Sequence, residues 1–101
     1  AEPEQAMGFC LFSSAAIAAR HAQQKWGLNR IAVIDFDVHH GNGTQACFWN
    51  DGSLFYASSH QMPLFPGTGA YDETGAYQSC ALWAGLGILP PRISGALARS
   101  A

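Results

Sequence analysis

The sequence predicts an α/β fold: part of a three-layer αβα arrangement around a parallel sheet, incomplete in this chain. Three observations lead there. The run Ile31-Ala-Val-Ile34 is aliphatic and β-branched, as in a buried parallel strand, and it ends abruptly in Asp35-Phe-Asp-Val-His-His40. Gly41-Asn-Gly43 then supplies a tight turn into a following helix, placing those polar groups at the carboxyl edge of a sheet, where open α/β folds bind ligands. A second apolar run, Leu54–His60, follows a short helical stretch, and a right-handed crossover sets it parallel to the first.

Taken in order, Ala1 to Met7 is a polar loop or helix entry carrying Glu2 and Glu4. After the apolar Gly8-Phe-Cys-Leu-Phe12, Ser13 or Ser14 caps a helix through Ala15 to Trp26, built of good helix formers and stopped by Gly27. Ala15, Ala18, Ala19, Ala22 and Trp26 recur at helical spacing and form a small-residue stripe against the sheet, with His21 at the helix edge or in solvent. Past the first strand, Thr44 to Trp49 reads as a short amphipathic helix closed by the turn Asn50-Asp-Gly52. From Gln61 to Gly75, prolines and glycines forbid a regular element, while Met62, Leu64, Phe65 and Tyr71 are too apolar for an idle linker.

Composition sets bounds. At 101 residues, 49% hydrophobic and only 12% charged, the chain resembles the interior of something larger more than a free-standing domain. A net charge of −2 with scattered Lys and Arg offers no basic patch for nucleic acid. Cys10, Cys47 and Cys80 form no CxxC and leave an odd count, which suits buried thiols in a reducing compartment, and no apolar run is long enough to span a bilayer. The expectation is a cytoplasmic protein without membrane partners.

Side chains alternate along a strand, so Asp35, Asp37 and, while the backbone stays extended, His39 leave on one side. Asp37 and His39 offer one hard oxygen and one imidazole nitrogen, a pair that suits zinc and also iron, cobalt or manganese. Asp35, one repeat further back, suits a supporting role, accepting a proton from a histidine and fixing its tautomer. A plainer reading of the same acids is that they cap the turn and the next helix, and His60 reads equally as a hydrogen-bonded core histidine.

Gly8-Phe9-Cys10 ahead of an alanine-rich helix, Asp-Phe-Asp-Val-His-His-Gly-Asn-Gly-Thr-Gln over Asp35 to Gln45, Ser58-Ser-His60, and Phe65-Pro-Gly-Thr-Gly69 resemble, in order and spacing, the histone deacetylase family. That family includes acetoin-utilisation and acetylpolyamine amidohydrolase relatives within the arginase/deacetylase fold. The resemblance implies that Asp37 and His39 are two of three zinc ligands. By the same likeness Asp35 orients the first catalytic histidine and Asn42 supports the second. Asp35 and Ser58, with backbone oxygens of Asp37 and His39, match a potassium site, and Phe9 and Phe65 match the aromatic pair lining a narrow acyl-lysine tunnel. The implied cofactors are Zn2+ and K+. The implied reaction is zinc-dependent hydrolysis of an acetylated lysine peptide or an acetylpolyamine.

The departures shape the rest of the expectation. The family's catalytic histidine pair lies directly before the point where this chain opens, and its third metal ligand and oxyanion tyrosine belong to later segments. Residues 1–77 are therefore expected to be a central fragment of a deacetylase domain with reduced activity. Residues 78–101, with no Asp or Glu from Gln78 onward and no recognisable next strand, are expected to be a divergent or frame-shifted tail. Two other classes share some of these features. A haloacid-dehalogenase-like phosphatase would use Asp35 as nucleophile with magnesium between the acids, and a metal-binding remnant would keep the fold without chemistry.

Overall fold

The computed structural model describes residues 1–76 and the backbone of residues 80–84. Five elements follow one another: α1 (Ser14–Trp26), β1 (Ile31–Asp35), α2 (Asn42–Phe48), β2 (Leu54–His60) and β3 (Cys80–Ala84). The strands form one parallel sheet in the order β1-β2-β3. In register, Ile31 lies opposite Leu54 and Asp35 opposite Ser58, so the polar end of β1 meets the hydroxyl of its neighbour strand.

α1 and α2 pack against each other and against β1 and β2 respectively. Ala16 and Ala19 of α1, Phe48 of α2, and Leu54 and Tyr56 of β2 make the core, with Ile31, Val33 and Cys47 packed around it. Burying the side chains of Phe48, Leu54 and Tyr56 stabilises the fold by roughly 1.5–3 kcal/mol each. Gly27 closes α1 in the left-handed conformation at φ 62°, as its position after Trp26 predicts.

Three expectations change in detail. The stripe on α1 is Ala16 and Ala19, while Ala15, Ala18 and Trp26 face solvent. In a helix this rich in alanine, shifting the face by one residue changes almost nothing in the apolar pattern, so periodicity alone does not fix the rotation. β1 alternates half-buried with exposed residues instead of being buried on both faces: Ala32 and Ile34 have no covering layer among the described residues. Finally, the sequence reading places no strand after Gly75, yet β3 pairs parallel to β2 from Tyr56↔Cys80 to His60↔Ala84. The run Cys80-Ala-Leu-Trp-Ala84 is short and continuously apolar, which periodicity alone does not distinguish from a buried helical segment, so its pairing partner reveals it. The remainder of the expected tail lies outside the described residues.

Candidate metal and substrate site

Regular strand geometry stops at Asp35, but the next turns are held by the acids themselves. Asp35 Oδ1 accepts the Asp37 backbone N–H at 3.1 Å, and Asp37 Oδ1 accepts that of His39 at 2.8 Å. These successive i→i+2 bonds are the side-chain-to-backbone turns that aspartate favours. They carry Asp35, Asp37 and His39 onto the wall of one cleft of about 920 Å3, which Asn42, Phe9 and Phe65 also line. The plainer reading of the acids as turn-formers is therefore realised too, and it does not exclude the other.

Asp37 Oδ1 and His39 Nδ1 lie 3.6 Å apart, both side chains largely open to the cleft. Two ligands about 2.0–2.1 Å from one tetrahedral ion are separated by roughly 3.3 Å, so this pair is close to the bite that zinc takes. Among the described residues no cluster of three His, Cys, Asp or Glu side chains is arranged to hold a metal ion. The donor set thus fits half of a four-coordinate site.

Behind the pair, Asp35 Oδ2 accepts the Tyr56 hydroxyl at 3.0 Å, and the same hydroxyl oxygen accepts the Gly41 N–H at 3.1 Å. A Cβ on Gly41 would overlap both Asp35 Oδ2 and Tyr56 Oη, which is why the turn needs glycine there. Burial pushes the Tyr56 hydroxyl above its ordinary value, and the Asp35 carboxylate adds to that, so Tyr56 stays a donor. Sequence reasoning missed Tyr56. Its signal was the period-two series Tyr56, Ser58, His60 on one face of β2.

The rest of that series is buried and paired. His60 Nε2 lies 2.9 Å from the Gly69 carbonyl, which can only accept, so Nε2 carries a proton. In the neutral ring Nδ1 then accepts the Ser58 hydroxyl at 2.9 Å. His60 is thus the hydrogen-bonded core histidine, and Ser58, fully buried, lies beside Asp35. His40 is buried with its ring 4.8 Å from that of His60, and its Nδ1 meets Thr68 Oγ1 at 2.8 Å while Nε2 has no partner. Desolvation, and then the neighbouring His60, hold His40 below the ordinary histidine value.

Asn42 opens α2 and donates to Glu2 Oε1 at 2.7 Å and to Met7 Sδ at 3.3 Å, tying the first residues of the chain to the turn. Phe65 meets the edge of the His39 ring at 6.5 Å between centroids. Phe9 is fully exposed, in a left-handed backbone conformation with φ 59° that a non-glycine residue seldom adopts. Of the cysteines, Cys10 is an exposed free thiol rather than a buried one, and Cys47 is half-buried and free.

A family model described as "Histone deacetylase domain" matches residues 1–87. The chain belongs to the histone deacetylase family. It is 55% identical over 75 residues to "Histone deacetylase 14, chloroplastic" of Arabidopsis thaliana, covering 74% of this chain and 18% of that protein. It is 46% identical over 99 residues to "Histone deacetylase 7" of Homo sapiens, covering 90% of this chain and 10% of that protein. The crystal structure of the HDA15 HD domain superposes with a TM-score of 0.77 at 42% identity, over 83% of this chain and 25% of that one. The fold is thus that of a histone deacetylase domain, of which the chain spans about a quarter. One relative is chloroplastic by name, so membership in the family does not fix a compartment. No helix among the described residues is long and apolar enough to cross a membrane.

Proposed function

We propose that this chain carries part of the active site of a zinc-dependent deacetylase that hydrolyses the amide of an acetyl-lysine peptide or an acetylpolyamine. The observation that carries the reading is the 3.6 Å approach of Asp37 Oδ1 to His39 Nδ1 on the wall of a cleft that Phe9 and Phe65 also line. Asp37 and His39 would hold the zinc. When bound it supplies Lewis-acid polarisation of the acetyl carbonyl and lowers the pKa of a water. The protein's own part is to orient and shield: Asp35 braces the loop through the Asp37 N–H, Tyr56 braces Asp35, and Phe65 offers an apolar wall to the methylenes of an acyl-lysine.

A potassium ion beside the zinc fits the chemistry of Asp35 and Ser58, hard oxygens adjacent in register, and on the family pattern backbone oxygens of Asp37 and His39 would complete its site. The role for Asn42, support of a histidine, is proposed on the family pattern; its amide is engaged here by Glu2 and Met7. Two donors grip zinc less firmly than three, so the chain alone is expected to bind it weakly and turn over slowly. The phosphatase reading loses ground because His39-His40-Gly41-Asn42-Gly43 follows the two acids, Lys25 is the only lysine in the sequence, and the deacetylase family model matches residues 1–87. The free thiols Cys10 and Cys47 support a reducing compartment such as the cytoplasm.

Zinc titration by calorimetry, run beside a turnover assay on an acetyl-lysine peptide, tests the reading. Binding should fall at least tenfold in Asp37→Ala and in His39→Ala. Zinc uptake that neither substitution alters would refute the metal assignment. Uptake without any hydrolysis, in this chain and when it is joined to the rest of a deacetylase domain, would leave only a metal-binding remnant.

A further inference from the structure

The loop bearing Phe65 has no regular structure, yet its far end is pinned by one side chain that the cleft does not contain. Glu73 Oε2 accepts the Gly69 N–H at 3.0 Å and the Gln45 side-chain amide at 3.0 Å, while Oε1 accepts the Ala70 N–H at 3.1 Å. Gln45 lies on α2 and is itself buried, so the carboxylate joins the loop to the helix that follows the metal-bearing turn. Gly69 is the residue that most needs holding. Its φ is +92°, and a Cβ there would overlap the rings of His40 and His60.

We propose that Glu73 is a positioning residue for the cleft: by fixing Gly69 and Ala70 to Gln45 it holds Phe65 against the His39 ring and so sets the aromatic wall. The link is short. Gly67 N–H donates to the Leu64 carbonyl at 2.9 Å, closing the turn around Phe65, and Thr68 is held by His40. Few degrees of freedom therefore separate Phe65 from the clamped Gly69. This inference rests on the reading of the cleft as the acyl-substrate site only for its functional meaning; the clamp itself is a matter of loop geometry.

The electrostatics agree. Burial works against the charged Glu73 carboxylate, but the donors on Ala70, Gln45 and Gly69 outweigh it and hold the group below the usual glutamate range. Among titratable groups on the surrounding elements, His40 favours the carboxylate's charge, His60 reaches the same loop through the Gly69 carbonyl, and α2 presents the uncharged Gln45. The clamp should thus hold from neutral pH down through the ordinary glutamate value of about 4.3 and loosen below it as the carboxylate takes a proton.

Amide NMR on the chain tests this without requiring hydrolysis. In the wild type the Gly69 and Ala70 amide protons should titrate together, with one midpoint below about 4.3. Glu73→Gln keeps the shape and removes the charge and one acceptor oxygen. It should abolish that titration, speed solvent exchange at both amides by about tenfold or more, and remove the Phe65–His39 ring contact. Exchange within twofold of wild type, with the ring contact intact, would overturn the proposal. If Glu73→Gln fails to fold, the wild-type titration decides, since amides indifferent to acid in that range also refute the clamp. A peptide carrying Nε-acetyl-lysine, titrated into wild type, separates the two readings. Clamp signals without peptide shifts at Phe65 uphold the clamp and count against the substrate assignment; peptide shifts without clamp signals refute the clamp.

Discussion

At the residue scale, the local grammar of the Asp35–His39 turn was readable, because aspartate two residues before a backbone N–H makes its own bond wherever it falls. Tyr56 and Glu73 were not read from the sequence, because the contacts that tie them to the site, Tyr56 to Asp35 and Glu73 to Gln45, span 21 and 28 positions and no spacing rule covers that distance. Tyr56→Phe removes a hydroxyl that serves Asp35 and Gly41 at once, leaving an acceptor and a donor unpaired. It is expected to destabilise the fold by about 1–3 kcal/mol in urea unfolding. The pH dependence has a definite sign. The folded state holds the Tyr56 proton above the ordinary value, so its contribution is complete below about pH 10 and declines as pH rises past that, while the unfolded chain ionises. Unfolding midpoints measured from pH 8 to 11 should fall less steeply in Tyr56→Phe than in the wild type.

At the element scale, β2 was predicted at its observed bounds because a strand so strongly apolar, closed by Asn50-Asp-Gly52 on one side and Gln61-Met-Pro63 on the other, leaves little freedom. α1 was predicted in place but not in rotation. The buried face through Ala16 and Ala19 makes a discriminating pair of substitutions. Ala19→Leu forces a large side chain into the core and should cost about 1–3 kcal/mol, whereas Ala18→Leu on the exposed side should stay within about 0.5 kcal/mol of wild type. Comparable costs at both positions in thermal unfolding would mean that the helix sits on the sheet through the stripe its sequence suggested, which holds Ala18 and Ala19 together. β3 escaped prediction because its signal lies in the backbone pairing with Tyr56 to His60 and not in its own side-chain pattern.

At the scale of the whole molecule, the composition gave fair warning. Two layers of the predicted three are present among the described residues, and the apolar side chains that a third would cover are open: Ile34 is 60% exposed and Phe36 87%. Exposed apolar surface of this kind drives association. The isolated chain should self-associate at micromolar concentrations, and Ile34→Lys should raise the monomer fraction in light scattering; a wild-type chain that stays monomeric would show that this face needs no cover. β1 is also the rim of the sheet, with one flank unpaired among the described residues. The ribbon that presents Asp37 and His39 is therefore the same one that offers its free border to a newcomer. Any polypeptide that docks there would become a neighbour of the ion's seat, so solubility and metal loading are bound to change together, and a remedy for one will register in the other.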